Sequence, residues 1–320
     1  SRDARRLARR HRATLLRRPP LRSVPPTRTA RQAPHEGKNA MPIIDVQVHV
    51  YERDHPGRPW IGKLHGPPEV TGDDMVKAMD AVGVDGAIIV SIYAMYRFDA
   101  SYAVSVRRAH PTRFALVKPV DTRDPGVEEA IADWAKTDGA VGIRIMMNDD
   151  VPNDPADPGV GRVLAAAGRA GLPVNLLCWG RLEQVAGLAA RHPGTRLVID
   201  HLGLQQPFEP PVPAEPFAAL PQLLALAAHD NVAVKISGAG TLSHKGYPYP
   251  DIWDPLARIY DAFGFDRCMW GTDWTRATAF LTYAQGVDAF RLTDQLNESE
   301  RAALMGGTVS AIYGGAPGKR

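Results

Sequence analysis

The chain has 320 residues, 44% of them hydrophobic, and a formal net charge of +3. That length supports one large core, and no run of 18 apolar residues offers a membrane-crossing helix, so a soluble protein is expected. The charge is unevenly placed: twelve Arg and Lys against two acids put +10 on residues 1–40, which leaves −7 on residues 41–320 and removes most of the support for nucleic-acid binding by the body.

Residues 1–40 are rich in Arg and Pro, with one aliphatic doublet at Leu15-Leu16 and no helical stripe. So few apolar groups cannot offset the entropy of ordering, and the stretch reads as a disordered basic tail outside the fold. It lacks the apolar centre of a secretory signal. Met41 reads as the true start of the chain; a transit peptide, and a basic arm touching RNA or membrane, are the other readings of the tail. Cys178 and Cys268 lie in strand-like apolar runs and read as buried free thiols, which fits a reducing, cytoplasmic compartment.

The body opens on Met41-Pro-Ile-Ile-Asp-Val-Gln-Val-His-Val50, where Asp45, Gln47 and His49 alternate with Ile44, Val46 and Val48. Alternation on a strand predicts that the three polar groups share one face, pointing at a barrel axis, with His49 at the mouth. A Pro- and Gly-rich loop over residues 51–71 has the length of a functional lid. Residues 71–83 carry a capping threonine, early acids and a terminal glycine, the marks of a helix. Strands are then predicted over 87–91, 113–118, 140–146, 173–178, 196–201, 231–237 and 267–273. Helices alternate with them over 99–109, 127–135, 159–170, 182–191, 216–228, 255–263 and 280–290, and a closing helix covers 299–304. Eight apolar strands alternating with helices predict an α/β fold, a (β/α)8 TIM barrel over residues 41–320. A doubly wound sheet is the runner-up, weakened because no Gly-rich phosphate loop follows the first strand.

Barrel enzymes carry their sites at the carboxyl ends of the strands. Those ends hold Gln47 and His49, then Ser91, Lys118, Arg144, Asn175, His201, Lys235 and Asp273. A polar group on every strand is unusual, because a purely structural barrel fills with Val, Ile and Leu. Taken singly, each has a plainer role: His201 as a satisfied core histidine, Asp273 as a helix cap, Arg144 and Lys235 in interior ion pairs, Ser91 and Asn175 as structural polar groups. Asp45, deep on its strand, is expected to bond backbone groups.

The pattern resembles a known family at this point. Ile-Ile-Asp-Val-Gln-Val-His on the first strand, Met79-Asp-Ala-Val-Gly-Val-Asp85, Asp200-His-Leu-Gly203, Val234-Lys-Ile-Ser-Gly238 and Trp270-Gly-Thr-Asp-Trp274 are together similar to the amidohydrolase superfamily, in its amidohydrolase-2 branch. That branch includes hydrolases of 2-pyrone-4,6-dicarboxylate and sulfomuconolactone. The resemblance implies a site of His49, His201 and Asp273, as catalytic groups or as ligands of one divalent metal, zinc or manganese. Where the family carries the first histidine of Asp-x-His-x-His, this chain has Gln47, and its fifth strand has no histidine. Arg144 stands at the strand-four position that elsewhere bridges two metals, which argues against a binuclear site. A metal-free site is equally implied, since the pyrone lactonase is similar in needing no metal.

Two mechanisms follow. With a metal, a bound water is acidified and Asp273 takes its proton. Without one, Asp273 is the general base, and His201 with Gln47 or His49 donates to the oxyanion. Gln47, Ser91, Arg144, Asn175 and Lys235 are the expected substrate-binding residues, with Arg97 or Arg58 as further cations for a small anionic, carboxylated substrate. The reading is lactone hydrolysis; the alternatives are a metal-dependent decarboxylase of an aromatic or muconate-like acid and a non-catalytic binding barrel. No nucleic-acid or membrane partner is expected, and a homo-oligomer is left open. The tail reading makes a simple prediction: protein beginning at Met41 melts within about 2 °C of the full chain, because an unstructured tail adds no buried area. A large loss of Tm on truncation, in a thermal melt, would overturn it.

Overall fold

The structure is a computed structural model that describes residues 41–147, 157–315 and 317–318. The tail expectation for residues 1–40 lies outside the described residues. Eight strands form one parallel sheet in sequential order: β1 Ile44–Val48, β2 Gly86–Val90, β3 Phe114–Pro119, β4 Ala140–Met146, β5 Val174–Leu177, β6 Leu197–Ile199, β7 Val232–Ser237 and β8 Cys268–Gly271. The helices are α1 Gly72–Val82, α2 Tyr93–Tyr96, α3 Ser101–Ala109, α4 Val127–Trp134, α5 Pro158–Arg169, α6 Leu182–Arg191, α7 Leu220–Ala225, α8 Trp253–Phe263, α9 Tyr283–Arg291, α10 Glu298–Ala302 and α11 Thr308–Tyr313. This is the predicted (β/α)8 barrel. The signals at α1 act as read: Thr71 and Asp74 form a capping box, and Gly83 ends the helix in the left-handed region at φ 72°. Among the described residues no helix is long and apolar enough to cross a membrane.

The barrel closes between β8 and β1 partly through a side chain. The Asp273 N–H donates to the Gln47 carbonyl at 2.9 Å. Beside it, the Asp45 carboxylate accepts from the Thr272 N–H at 2.9 Å and the Thr272 hydroxyl at 2.6 Å. Asp45 is fully buried, and burial pushes its pKa up to about 7 against those donors. It bonds backbone groups, as expected.

The expectation that Asp45 shares the axial face with Gln47 and His49 is corrected. The pairing of β1 with β2 shifts register between Asp45 and Val48. Ile44 and Val46 pack with Ile88, Val90, Ala115, Val117, Val198, Ala233 and Met269 in the barrel interior, where α11 adds Val309, Ile312 and Tyr313 as a plug. The bulge lets the carboxylate of Asp45 reach the β8 seam while Gln47 and His49 still turn inward. Lys118 also departs from expectation: its ammonium lies 5.1 Å from the Trp134 ring of α4, outside the barrel mouth. Cys178 and Cys268 are free and buried, and burial pushes both thiols up in pKa.

Candidate active site

β6 and β8 stop short of the residues that matter. His201 follows β6 at φ 53°, ψ 43°, and Asp273 follows β8 at φ 50°, ψ 31°. Non-glycine residues rarely adopt the left-handed region, and they persist there only where the surroundings impose it. These two turns swing an imidazole and a carboxylate inward from the strand ends toward His49. Gly203, at φ 66°, completes the first turn; a Cβ there would stand 2.4 Å from Leu182.

Beneath the mouth lies a buried charge cluster. Asp200, fully buried, accepts from Arg144 Nε at 2.7 Å, Lys235 Nζ at 3.1 Å and Asn175 Nδ2 at 3.3 Å. Lys235 also donates to Gln47 Oε1 at 2.9 Å, and the Tyr313 hydroxyl donates to Asn175 Oδ1 at 2.9 Å. Burial opposes ionisation of Asp200, but Lys235 and Arg144 outweigh it and hold the pKa at about 2. Burial pushes Lys235 downward, against the same acid.

Above this floor sits Asp273, also fully buried. His49 Nε2 stands 3.3 Å from its Oδ1, His201 Nδ1 stands 3.5 Å from its Oδ2, and Arg276 Nε donates to Oδ2. Burial favours the neutral acid, yet the Arg276 guanidinium above all holds Asp273 well below the usual carboxylate range. The His49 contact lacks hydrogen-bond alignment, so Oδ1 has no hydrogen-bond partner among the described residues.

The ring nitrogens can be assigned from their partners. His49 Nδ1 faces the Val90 carbonyl at 2.7 Å and must donate to it. In the neutral ring its Nε2 then presents a lone pair to Asp273. Arg144 Nη2 donates to His201 Nε2 at 3.3 Å, so His201 carries its hydrogen on Nδ1, toward the Ser237 hydroxyl at 3.0 Å and Asp273. Burial pushes His201 down to about 3, consistent with a neutral ring.

A divalent ion needs about three protein donors. Among the described residues, His49 Nε2 and Asp273 Oδ1 face each other without a hydrogen-bond donor. His201 Nε2 is taken by Arg144, Gln47 Oε1 by Lys235 and Asp273 Oδ2 by Arg276. Among the described residues no group of three or more His, Cys, Asp or Glu is placed to hold an ion. The arrangement does not fit the metal set that the family resemblance implied.

A cavity of about 420 Å³ opens over the site, its wall including His49, His201, Arg144, Arg276, Tyr93, Trp179, Phe208, Lys63 and Arg97. Of the expected substrate contacts, Arg144 lines it. Gln47, Asn175 and Lys235 do not, because they serve the Asp200 cluster, and Ser91 spends its hydroxyl on the Asp99 carbonyl at 2.9 Å. Arg58 is paired with Glu52. Arg97, whose backbone sits at φ 52°, and Lys63 have no carboxylate partner among the described residues. Sequence reasoning missed Arg276 and Asp200; it names residues 206–216 as a loop that sets the substrate, without singling out Gln206 or Phe208. For Arg276 the only local signal was its place three residues after Asp273, the spacing of a helical ion pair.

Parallel strands, inward His and Asp at their carboxyl ends and a cavity above them give the architecture of a barrel enzyme. A family profile described as Amidohydrolase matches residues 44–315, and the chain belongs to that family. It is 28% identical over 286 residues to an L-fucono-1,5-lactonase of Burkholderia multivorans, covering 84% of this chain and 95% of that one. A 4-sulfomuconolactone hydrolase of Hydrogenophaga intermedia is 28% identical over 222 residues, covering 68% and 69%. A crystal structure of an amidohydrolase from Burkholderia multivorans with bound zinc superposes with a TM-score of 0.71 at 25% identity, covering 85% of this chain and 99% of that one.

The Asp200 cluster predicts two outcomes. Asp200→Asn leaves Lys235 and Arg144 buried without their counter-charge and costs about 3–5 kcal/mol of stability in denaturant unfolding. Because the folded pKa of Asp200 is depressed to about 2, its stabilisation is present above its unfolded pKa of about 4 and is lost as pH falls from there toward about 2. A Tm that drops across that window, and less steeply in Asp200→Asn, is the expected result.

Proposed function

We propose that this enzyme opens a small anionic lactone by attack of water, with Asp273 as the general base and no divalent ion required. The observation that supports this most is the state of Asp273: ionised, clamped through Oδ2 by a guanidinium, with Oδ1 left without a hydrogen-bond donor. A buried carboxylate oxygen without a donor calls for a functional explanation. Oδ1 is buried in this conformation, and in this reading water reaches it beside His49, which lines the cavity.

The atoms balance as follows. Water gives its proton to Asp273 Oδ1 while its oxygen bonds the lactone carbonyl carbon. The negative charge that develops on the carbonyl oxygen faces Arg144, whose Nη1 takes no partner among the described residues. Collapse breaks the ring C–O bond, and the leaving alkoxide takes the proton back from Asp273, giving a hydroxy acid. The oxyanion role expected of His201 with Gln47 or His49 passes to Arg144, since the ring N–H of His201 faces Ser237 and Asp273 and that of His49 faces the Val90 carbonyl. Gln47, although its Nε2 has no hydrogen-bond partner among the described residues, does not line the cavity. His201 keeps Asp273 in place.

Arg97 and Lys63 supply the anion preference, because a cavity cation without an acid partner is available for a substrate carboxylate or sulfonate. The decarboxylase reading has structural neighbours that are 5-carboxyvanillate decarboxylases, at only 17% and 15% identity, and the binding-only reading leaves the donor-free Oδ1 of Asp273 unexplained. Steady-state assays on 4-sulfomuconolactone and L-fucono-1,5-lactone check the reading. Asp273→Asn should lower kcat by about 10²–10⁴-fold, the worth of a positioned general base. Arg97→Ala should raise KM for the sulfonated lactone by about tenfold or more, and leave the uncharged lactone within about twofold. Full activity of Asp273→Asn, or equal effects of Arg97→Ala on both lactones, would contradict the respective assignments.

A further inference from the structure

Arg276 lies in the turn Trp274–Arg276 just after β8 and is 4% exposed. It spends its whole fork. Nε holds Asp273 Oδ2, Nη2 donates to Gln206 Oε1 at 2.6 Å, and Nη1 donates to the Pro207 carbonyl at 3.2 Å. Its plane lies 5.2 Å from the Phe208 ring. Gln206 in turn donates to the Ser237 carbonyl at 2.8 Å, at the end of β7. One side chain therefore ties the acid after β8 to the loop after β6.

Two further facts set this apart from simple charge neutralisation. Arginine–carboxylate pairs are frequently bidentate; Arg276 instead uses Nε on one oxygen and sends both terminal nitrogens to the loop. Gly238, at φ 67°, also leaves the room for it: a Cβ there would stand 2.2 Å from Gln206 Oε1 and 3.0 Å from Arg276 Nη2. Phe208 lines the cavity and stacks on His65 of the loop after β1, with ring centroids 5.1 Å apart. The loops over the cavity thus meet at the ring that rests on Arg276.

We propose that Arg276 is the positioning residue of this site: it orients Asp273 by holding Oδ2, and it is itself set by the seating of residues 206–208, so that a lactone held under Phe208 aligns the base. The inference rests on Asp273 being the base. Arg276 acts through Asp273, and its loss is felt as misorientation, which costs rate more than affinity.

The test uses the full chain, 4-sulfomuconolactone as probe, and the variants Asp273→Asn, Arg276→Gln and Arg276→Lys, with a thermal melt on each. Arg276→Gln should lower kcat by about 100-fold with KM within about threefold, and Arg276→Lys, which keeps a cation on Oδ2, should regain about tenfold of that loss. Amide hydrogen exchange at Gln206 and Phe208, measured without ligand, should quicken about tenfold in both Arg276→Gln and Asp273→Asn, because each breaks the same chain of contacts. A lowered Tm with wild-type kcat, a Lys variant no better than Gln, or unchanged exchange in Asp273→Asn would each overturn the proposal. If Asp273→Asn stays active, the hydrolytic reading itself fails. If it is inactive while Arg276→Gln is fully active, only the positioning role fails. Should wild type leave the probe intact, the exchange measurement decides alone.

Discussion

Everything at the mouth of this barrel depends on the satisfaction of one buried acid. Asp200 collects Arg144, Lys235 and Asn175 from three strands. Removing ions from water is costly unless each is paired and its remaining donors are used. The cluster meets most of that condition: Gln47 takes a hydrogen of Lys235, Tyr313 donates to Asn175, and Arg144 has donors left over for His201 and the cavity, while Gln47 Nε2 has no hydrogen-bond partner among the described residues. Arg144 is thereby fixed both as a structural cation and as the positive face of the site. The same bond settles the His201 tautomer, and with it the donor that faces Asp273.

This cluster also accounts for the amide at position 47. An ammonium with no acceptor lone pair needs oxygen around it, and Gln47 provides one where an imidazole would offer a ligand nitrogen. A divalent ion beside Lys235, with Arg144 and Arg276 close to the same acids, would meet repulsion on several sides. Cations of the chain itself stand where the family resemblance had suggested an inorganic one. In the proposed mechanism the base, Asp273, is then set by a guanidinium, which fixes orientation through hydrogen-bond direction as well as charge.

Much of the barrel was legible because strand and helix periods are local. The eight strands, the capped helix at residues 72–82 and the inward His49 follow from local periods and caps; His201 and Asp273 were legible as strand-end residues, but the left-handed turns that swing them inward lie beyond β6 and β8. What was not legible is depth and long-range partnership. Gln47, Asn175 and Lys235 read as inward polar groups, but only the fold shows that they lie below the cavity and serve Asp200. The alternation at Ile44 to His49 is perfect, so nothing local reveals the bulge, which follows from Asp45 finding Thr272 on the far edge of the sheet. Arg276 was missed because its meaning depends on Gln206 and Phe208, which arrive from another loop. Arg144 and Lys235 were weighed both as ion pairs and as substrate contacts; Arg144 serves as an ion pair facing the cavity, Lys235 as an ion pair alone.

The most direct test of the central claim, that paired side-chain cations replace a metal at Asp273, is hydrolysis of 4-sulfomuconolactone by protein stripped with chelator, with metal content measured on the same sample. The account predicts kcat/KM within about twofold of untreated protein at below about a tenth of an equivalent of zinc or manganese, since no step needs a Lewis acid. Activity that disappears on stripping and returns in proportion to one added equivalent of metal would contradict it.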